Sequence, residues 1–383
     1  MFRSNPRVDR AIDFFTLPRL YWNLLRWPEY QGSWLSLARD LLWWFFDYRT
    51  FPNNYGPCRL WEVPKEDWKY YYGSNYQSYQ RAALTREVQP VSYAIVFHDK
   101  AVCERLCRDS KIHMPMTYGL IRPHERYRER LVEWLEDAGA TSGLIIKPLL
   151  GAAGRGIVLA RKHLEKVLIL TRSQATALEE FQLQEDAIVQ GIVSQDPRMA
   201  VFSATSLNTI RVATMLTKDG AILILGATMR CGVGNSHVDN WSAGGVAVGV
   251  DVNSGKLRKY AYDMRGNRYT EHPTTKARFD GSAIPEWSQI IELAVTVQRL
   301  FPFYRILGLD IGVADKGRPI LIEVNNNTDF LFQEQTSGPL LRQEDVLRAF
   351  GQDNLLINRH QRKLYALLED RPGTQVGADS HHA

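Results

Sequence analysis

Cysteine is scarce: Cys58, Cys103, Cys107 and Cys231 are the only four in 383 residues, and no two form a CxxC pair. The spacing fits reduced thiols, with Cys103 and Cys107 packing four apart on a helix rather than doing chemistry. Long apolar runs are missing, so no segment reaches the length needed to span a bilayer. A large charge excess is missing too. The formal net charge is +5, which suits anionic small molecules such as nucleotides but is too weak to argue for nucleic acid. No basic run is interleaved with aromatics in the way a nucleic-acid groove needs. Met1–Arg10 is polar and no small-residue cleavage site follows, so a secretory leader is not expected and the setting reads as cytoplasmic. Internal repeats and low-complexity segments are also absent. What remains is an ordinary globular composition, 45% apolar and 23% charged, in a chain long enough for two or three domains.

Aromatic residues, by contrast, crowd the region 12–80, in LPRLYWNLLRW, LARDLLWWFFDYRTF and WKYYYGSNYQSY. The run LLWWFF (41–46) lies in a helix expected to start near Ser36. Two readings stand: a helical subdomain buried against the rest of the chain, or an interfacial surface in which tryptophan, tyrosine and flanking arginine meet a membrane headgroup layer.

Further on, strands and helices mix with extended antiparallel runs, so the fold class reads as α+β. VSYAIVF (91–97) reads as a strand, followed by a helix capped by Asp99 and a second strand in MPMTYGLI. A helix is expected over 125–140. Strands follow at LIIKP (144–148), IVLA (157–160), AIVQGIV (187–193), TIRVATML (209–216), AILILGATMR (221–230) and GGVAVGVDV (244–252), then an amphipathic helix at 286–300. Residues 340–369 read as helical and the tail from Arg371 as disordered.

The segment GLDIGVADKGRPILIEVNNNTDF (308–330) carries the sharpest chemical signal. It reads as a hairpin with Lys316 and Gly317 as its two loop residues. Counting outward, Asp310 faces Glu323, and Asn325 lies on the same face two residues on. Like charges opposite one another destabilise a hairpin unless a cation sits between them. Few, all-oxygen ligands suit magnesium that keeps waters and binds phosphate. The alternative is a surface hairpin with solvated acids, and an odd-length loop would turn Asp310 to the other face.

Other residues add to the picture. Lys147 ends an apolar strand, where an ammonium is costly to bury without an anion. After it comes the loop Gly151-Ala152-Ala153-Gly154-Arg155-Gly156, whose small residues let backbone N–H groups close over phosphate oxygens. The loop joins two strands and lacks the Gly-Lys-Ser/Thr ending, so it is neither a Walker loop nor a dinucleotide fingerprint. Arg211 lies inside an apolar strand and Arg230 ends another. Each wants a phosphate, a carboxylate or an internal salt bridge. The polar segment 231–251, with His237, Asp239, Asn240, Gly244 and Gly245, is long enough to fold over a substrate. His237 in it is either a base or an idle surface residue.

In this order, strand-Lys147, glycine-rich loop, Val189-Gln190, Arg211, Asp310, Glu323 and Asn325 resemble the ATP-grasp superfamily. SLNTIRVATM, DNWSAGG, HPTTKARFDGSAIPEW and the GLD…LIEVN ending resemble more narrowly its sugar-transfer-associated family, over about residues 90–345. The loop NSHVDNWSAGG is similar to the substrate loop of RimK-like glutamate ligases. The resemblance implies two α+β lobes sandwiching ATP (141–195 and 196–350), preceded by a small α/β domain (86–140) and the aromatic helical region (1–85), and followed by a C-terminal helix and tail (351–383). It implies that Lys147 binds the α-phosphate and that Gly151–Gly156 close over the β- and γ-phosphates. Gln190, Gly191 and Ile192 would border the adenine, and Arg211, with Arg230, would steady the transferring phosphoryl group. Asp310, Glu323 and Asn325 would hold two magnesium ions, while Asp239, Asn240, Gly244 and Gly245 would face the acceptor. Two positions depart from the family pattern: Gln190 stands where a glutamate is usual, and Asn325-Asn326-Asn327 lacks the proline and glycine of many relatives.

The activity this implies is a carboxylate–amine ligase acting through an acyl phosphate, with a small-molecule or peptide carboxylate and an amine as partners. A kinase for a hydroxyl substrate and a non-catalytic, membrane-docked nucleotide-binding scaffold are the alternatives.

Overall fold

The computed structural model describes residues 6–371 apart from 75–76, 139–142, 152–153, 164–165, 172–173, 235, 237–238, 240 and 242–243. The expectations for Ala152, Ala153, His237, Asn240 and the tail beyond 371 therefore lie outside the described residues.

The chain opens with α1 (Pro6–Leu25) and α2 (Trp34–Tyr48). Ser33 caps α2 by accepting from the Ser36 N–H at 3.1 Å, which satisfies one of the orphan donors of the first turn. One stripe of α2, including Leu37, Leu41, Trp44, Phe45 and Tyr48, is buried. Leu37, Leu41, Trp44 and Tyr48 pack with Leu24, Tyr55, Leu60, Trp68 and Tyr71 in a core of their own, and Phe45 meets Phe14. Each such side chain contributes about 1.5–3 kcal/mol by leaving water. The opposite stripe, with Leu35, Leu42 and Phe46, stays exposed. The aromatic region is thus buried on one face and bare on the other.

After α3 (Ser78–Glu87), the strand expected at 91–97 is helical instead: a 3₁₀ turn at Val91–Tyr93 runs into α4 (Ile95–His98). Phe97 is buried there, whereas Val91, Tyr93 and Ile95 are exposed. Phe97 packs into the core of the second sheet from this short helix, and local helical bonding overrides β-propensity. Asp99 does cap α5 (Lys100–Asp109), accepting from the N–H groups of Ala101 and Val102 at 2.9 and 3.2 Å.

Two antiparallel sheets follow. The first contains β1 (Thr117–Ile121), β2 (Leu144–Pro148), β3 (Val158–His163), β4 (Lys166–Leu170), β5 (Ala175–Ala177) and β6 (Ala187–Gly191), ordered β1-β6-β2-β3-β4-β5. Helix α6 (Tyr127–Asp137) buries Tyr127, Leu131 and Leu135 against it. The segment 86–140 contributes β1 to this sheet and has no sheet of its own among the described residues.

Short α7 (Pro197–Ala200) leads to the second sheet. Its strands are β7 (Thr209–Leu216), β8 (Ile222–Cys231), β9 (Val246–Val250), β10 (Leu257–Tyr262), β11 (Arg268–Tyr269), β12 (Ile306–Val313) and β13 (Pro319–Asn325), ordered β11-β10-β9-β8-β7-β12-β13. Helix α8 (Trp287–Leu300) covers one face through Ile290, Ala294 and Val297. Helices α9 (Phe330–Ser337) and α10 (Glu344–Gln352) cover the other through Phe330 and Phe350, and α11 (Arg359–Glu369) closes the described chain. With helices on both faces, β12 is buried along its whole length, which is why it reads as a nearly unbroken apolar run.

The β12–β13 hairpin reaches its register by an unexpected route. Its connection is Asp315–Gly317, three residues, with Lys316 left-handed at φ 62°. Ala314 N–H donates to Arg318 O at 2.8 Å. An odd loop alone would set Ile322 opposite Asp310. A bulge between Asp310 and Ile311 takes up the extra residue, so that Ile311 pairs with Leu321 but Asp310 pairs with Glu323. The two departures cancel.

Candidate functional site

Asp310 lies at the centre of a charged cluster built by strand order. Because β12 sits between β7 and β13, Asp310 pairs with Arg211 on one side and Glu323 on the other. Arg211 grips it with two nitrogens: Nε donates to Oδ1, and Nη2 to Oδ2 at 3.0 Å. Arg230, from β8, reaches Oδ2 at 3.0 Å with Nη2. Asn325 Nδ2 donates to the same oxygen at 3.3 Å. Burial would raise the Asp310 carboxyl, but the two guanidiniums override it and hold it at about 2. Gly308 makes this possible, since a Cβ there would stand 2.6 Å from Thr328 Cβ and 3.2 Å from Arg211 Cδ.

Arg230 is buried and also donates to Thr209 Oγ1 at 2.7 Å. Asp239 joins this edge of the cluster. Its Oδ2 accepts from Thr209 N–H at 3.0 Å and from the Thr209 hydroxyl, with Arg230 Nε 3.7 Å away. Burial pushes its carboxyl up, against the pull of Arg230. Asp239 is therefore tied to β7 rather than free on a loop. Gly244 is exposed, left-handed at φ +96°, with open space where a side chain would be, and Gly245 is buried. Nearby, Trp241 packs on Phe332, their ring centroids 5.3 Å apart, and donates to Tyr262 O at 3.0 Å.

From the first sheet, Lys147 lies within electrostatic reach of the same acids. It is buried, and burial lowers its pKa, while the charges of Glu323, Asp310 and Asp239 act to raise it. Its ammonium donates to Gln190 Oε1 at 2.9 Å, and Gln190 Nε2 donates to Thr117 Oγ1 at 3.2 Å. Gly191 N–H is already given to Met116 O at 2.8 Å, and Ile192, just after β6, is half-buried. In the glycine-rich loop, Gly154 and Gly156 are left-handed at φ 68° and 72°. A Cβ on Gly156 would meet Pro148 Cγ at 2.8 Å, so glycine is required there on two counts. Arg155 is exposed beside them.

Lys100 is absent from the sequence reading, yet it links the two sheets. Its ammonium donates to Gly151 O in the glycine-rich loop and lies 3.6 Å from Glu323 Oε1. A signal exists: Lys100 opens α5, and a cation at the positive end of a helix is poorly placed for the helix itself. His98 was missed as well; Asn326 Nδ2 donates to its Nε2 at 3.0 Å. The asparagine run after β13 anchors the segment before the first sheet. Asn326 O accepts from Gln89 at 2.8 Å and from Tyr304 at 3.0 Å, and Arg81 donates to Asn327 Oδ1 at 3.0 Å.

Among the described residues no three His, Cys, Asp or Glu side chains gather as a metal cluster. The oxygen donors on the hairpin are the carboxylates of Asp310 and Glu323 and the amide of Asn325, with the Asp310 oxygens already accepting from Arg211, Arg230 and Asn325. Glu323 is 37% exposed, with Lys100 as its cationic neighbour. Asn325 turns its nitrogen to Asp310, which leaves its oxygen for another partner. An all-oxygen set of this kind fits magnesium that retains waters and shares its remaining sites with phosphate. It does not fit a soft or closed metal site.

No curated protein matches the chain. Among solved structures it is similar to the VanG D-Ala:D-Ser ligase from Enterococcus faecalis, at 15% identity over 70% of this chain and 61% of that one, TM-score 0.39. It is similar to phosphoribosylamine–glycine ligase from Thermotoga maritima at 12% identity, over 70% and 56%, TM-score 0.42. A third likeness is to the ADP complex of N5-carboxyaminoimidazole ribonucleotide synthetase, at 11% identity over 61% of this chain, TM-score 0.37, of which this chain spans less than half, 45%. These likenesses are distant. Residues 79–350, by contrast, match the sugar-transfer associated ATP-grasp family, and that stretch holds every strand of both sheets. The chain belongs to the sugar-transfer associated ATP-grasp family, with its α+β fold.

Proposed function

We propose that the chain is an ATP- and magnesium-dependent carboxylate–amine ligase. In this reading it forms an amide or peptide-like bond on a small metabolite, a peptide or a cell-surface sugar precursor. One observation carries the reading: Asp310, gripped by Arg211 and Arg230, pairs across the hairpin with Glu323, which lies 3.6 Å from the Lys100 ammonium, while buried Lys147 on the first sheet feels the charges of both acids.

Lys147 and Lys100 bind phosphate oxygens, and the loop Gly151–Gly156 closes over the β- and γ-phosphates with its backbone N–H groups. Gln190, Gly191 and Ile192 border the adenine. Arg211 and Arg230, which pair with Asp310, share their charge with the transferring phosphoryl group. Glu323, Asn325 and Asp310 would hold two magnesium ions, which would supply charge neutralisation for the nucleotide's phosphates. Asp239, Asn240, Gly244 and Gly245 line the acceptor side. The substrate carboxylate displaces ADP from the γ-phosphate to give an acyl phosphate, and an amine then displaces phosphate. No covalent enzyme nucleophile is needed. The setting is cytoplasmic, with peripheral membrane contact through the N-terminal helices.

Screening amino acids, uronic acids and short peptides for acid-dependent ADP formation in the presence of hydroxylamine tests the reading. The expected product is a hydroxamate trapped from the acyl phosphate. A phosphate monoester without hydroxamate would instead assign a kinase, and calorimetry finding no nucleotide uptake with divalent metal present would remove the enzyme altogether.

A further inference from the structure

Helices α1 and α2 form an antiparallel pair. Phe14 meets Phe45 and Phe46, with ring centroids 5.5 and 6.3 Å apart, and the Tyr21 hydroxyl donates to Trp34 O at 3.1 Å. Their outward residues recur at helical spacing. Ile12, Phe15 and Trp22 on α1, and Leu35, Leu42 and Phe46 on α2, are between 46% and 79% exposed. Since the other stripe of α2 is buried in the aromatic core, the helix is apolar on both sides, a pattern that calls for an apolar neighbour on each.

Charge says what kind of neighbour. Arg19, Arg26, Arg39 and Arg49 are exposed among these residues. Arg26 lies over the Trp22 ring at 4.8 Å, and Arg10 over Phe45 at 5.8 Å. Arg10 Nε is buried without a hydrogen-bond partner among the described residues. Burial and the neighbouring charge of Arg49 both pull the Arg10 pKa down. The four acids between residues 10 and 50 are all less exposed than Arg19, Arg26, Arg39 and Arg49: Asp13, which lines a shallow pocket with Arg19, is half-buried. Asp40 is turned inward to Tyr55 and Lys65, Glu29 to Arg59 and Arg268, and Asp47 to Arg359 and His360. A second copy of the chain would set these arginines against one another, whereas a layer of lipid phosphates would neutralise them.

We propose that this face docks on an anionic phospholipid bilayer. Both helices lie in the plane of the surface, the aromatic and aliphatic side chains enter the headgroup layer, and the arginines meet lipid phosphates. No helix among the described residues is long and apolar enough to cross a membrane, which fits lying on the bilayer rather than spanning it. The proposal rests on the peripheral-contact part of the functional reading and is independent of the ligase chemistry.

Co-sedimentation of the full chain with vesicles tests it, using phosphatidylcholine alone and phosphatidylcholine with about one third phosphatidylglycerol. The protein is expected to pellet with the anionic vesicles and to be released as salt rises to about 0.5 M, where surface charge is screened. Phe15→Glu combined with Trp22→Glu is expected to weaken binding by at least about tenfold, and Arg19→Glu combined with Arg26→Glu to do so on anionic vesicles only. Each variant is expected to keep wild-type nucleotide affinity, which reports an intact fold. Equal binding to neutral vesicles would overturn the anionic assignment while leaving peripheral contact standing. Binding to neither would overturn both. A dimer in light scattering that Phe15→Glu converts to monomer, without vesicle binding, would give the face to a second copy and also overturn the proposal.

Discussion

Glu323 and Asp310 face each other in one hairpin, yet their surroundings differ enough that removing each is expected to fail in a different way. The Glu323 side chain is 37% exposed and lies 3.6 Å from the Lys100 ammonium. A partly solvated pair of this kind is worth at most about 1 kcal/mol, so Glu323→Ala costs the fold little. As a holder of the metal–nucleotide, however, Glu323 would stabilise charge on the transferring phosphoryl group, and its loss is expected to lower ADP release on the order of a thousandfold. Asp310 is 3% exposed. Its carboxyl, at about 2 against an ordinary 3.8, gains about 2 kcal/mol from its arginines net of burial. Because the folded pKa is depressed, that gain is present above the ordinary carboxylate value and drains away as pH falls from about 4 towards 2. Asp310→Asn leaves two largely buried guanidiniums without their shared anion, and Arg230 keeps only the more distant Asp239. A cost of about 3 kcal/mol is expected. Denaturant melts run beside ADP release separate the two variants: Glu323→Ala melts with the wild type but turns over almost nothing, whereas Asp310→Asn loses both. ADP release near the wild-type rate in Glu323→Ala would refute the metal assignment. An Asp310→Asn variant as stable as the wild type would refute the charge analysis of the cluster.

Two further outcomes follow from residues outside the hairpin. Glu334 is buried and accepts from the N–H groups of Tyr72, Gly73 and Leu340 at 2.6, 2.8 and 3.2 Å. Burial outweighs those bonds and raises its carboxyl to about 7, so stability is expected to fall, by up to about 3 kcal/mol, as pH rises from about 4.5 through 7. Glu334→Gln should flatten that part of a pH series of denaturant melts, and an unchanged slope would count against the buried charge. Lys100→Met removes the cation that touches both Gly151 and Glu323, and is expected to weaken ATP binding by at least about tenfold in calorimetry. Unchanged affinity would leave Lys100 a purely structural link.

The strands that build the site were legible because helices cover both faces of the second sheet and make β7, β8 and β12 read as apolar runs. The hairpin was legible for a less secure reason: an assumed two-residue loop and an observed three-residue loop with a bulge lead to the same Asp310–Glu323 pair. The meeting of Arg211, Arg230 and Asp310 was not legible, because it depends on β12 entering the sheet between β7 and β13, and local pattern does not carry strand order. Lys100 was missed for the same reason, since its partners come from two different sheets. Residues 91–97 misled because Val91, Tyr93, Ile95 and Val96 favour strands, whereas the chain there sends Phe97 into the core from a short helix. The two faces of α2 could not be assigned from composition, because both are apolar.

The clasp at Glu334 also bears on where this molecule can be cut. The family match begins at residue 79, and an excision at that point would look natural. Yet two of the three donors to the carboxylate come from Tyr72 and Gly73, the Tyr72 hydroxyl donates to Leu355 O at 3.1 Å, and Gln361 donates to Tyr71 O at 3.1 Å. A fragment trimmed to the family segment would carry an acid stripped of most of its donors beneath the second sheet. The aromatic leading region is joinery rather than an appendage, and the smallest piece worth expressing alone begins upstream of Tyr71.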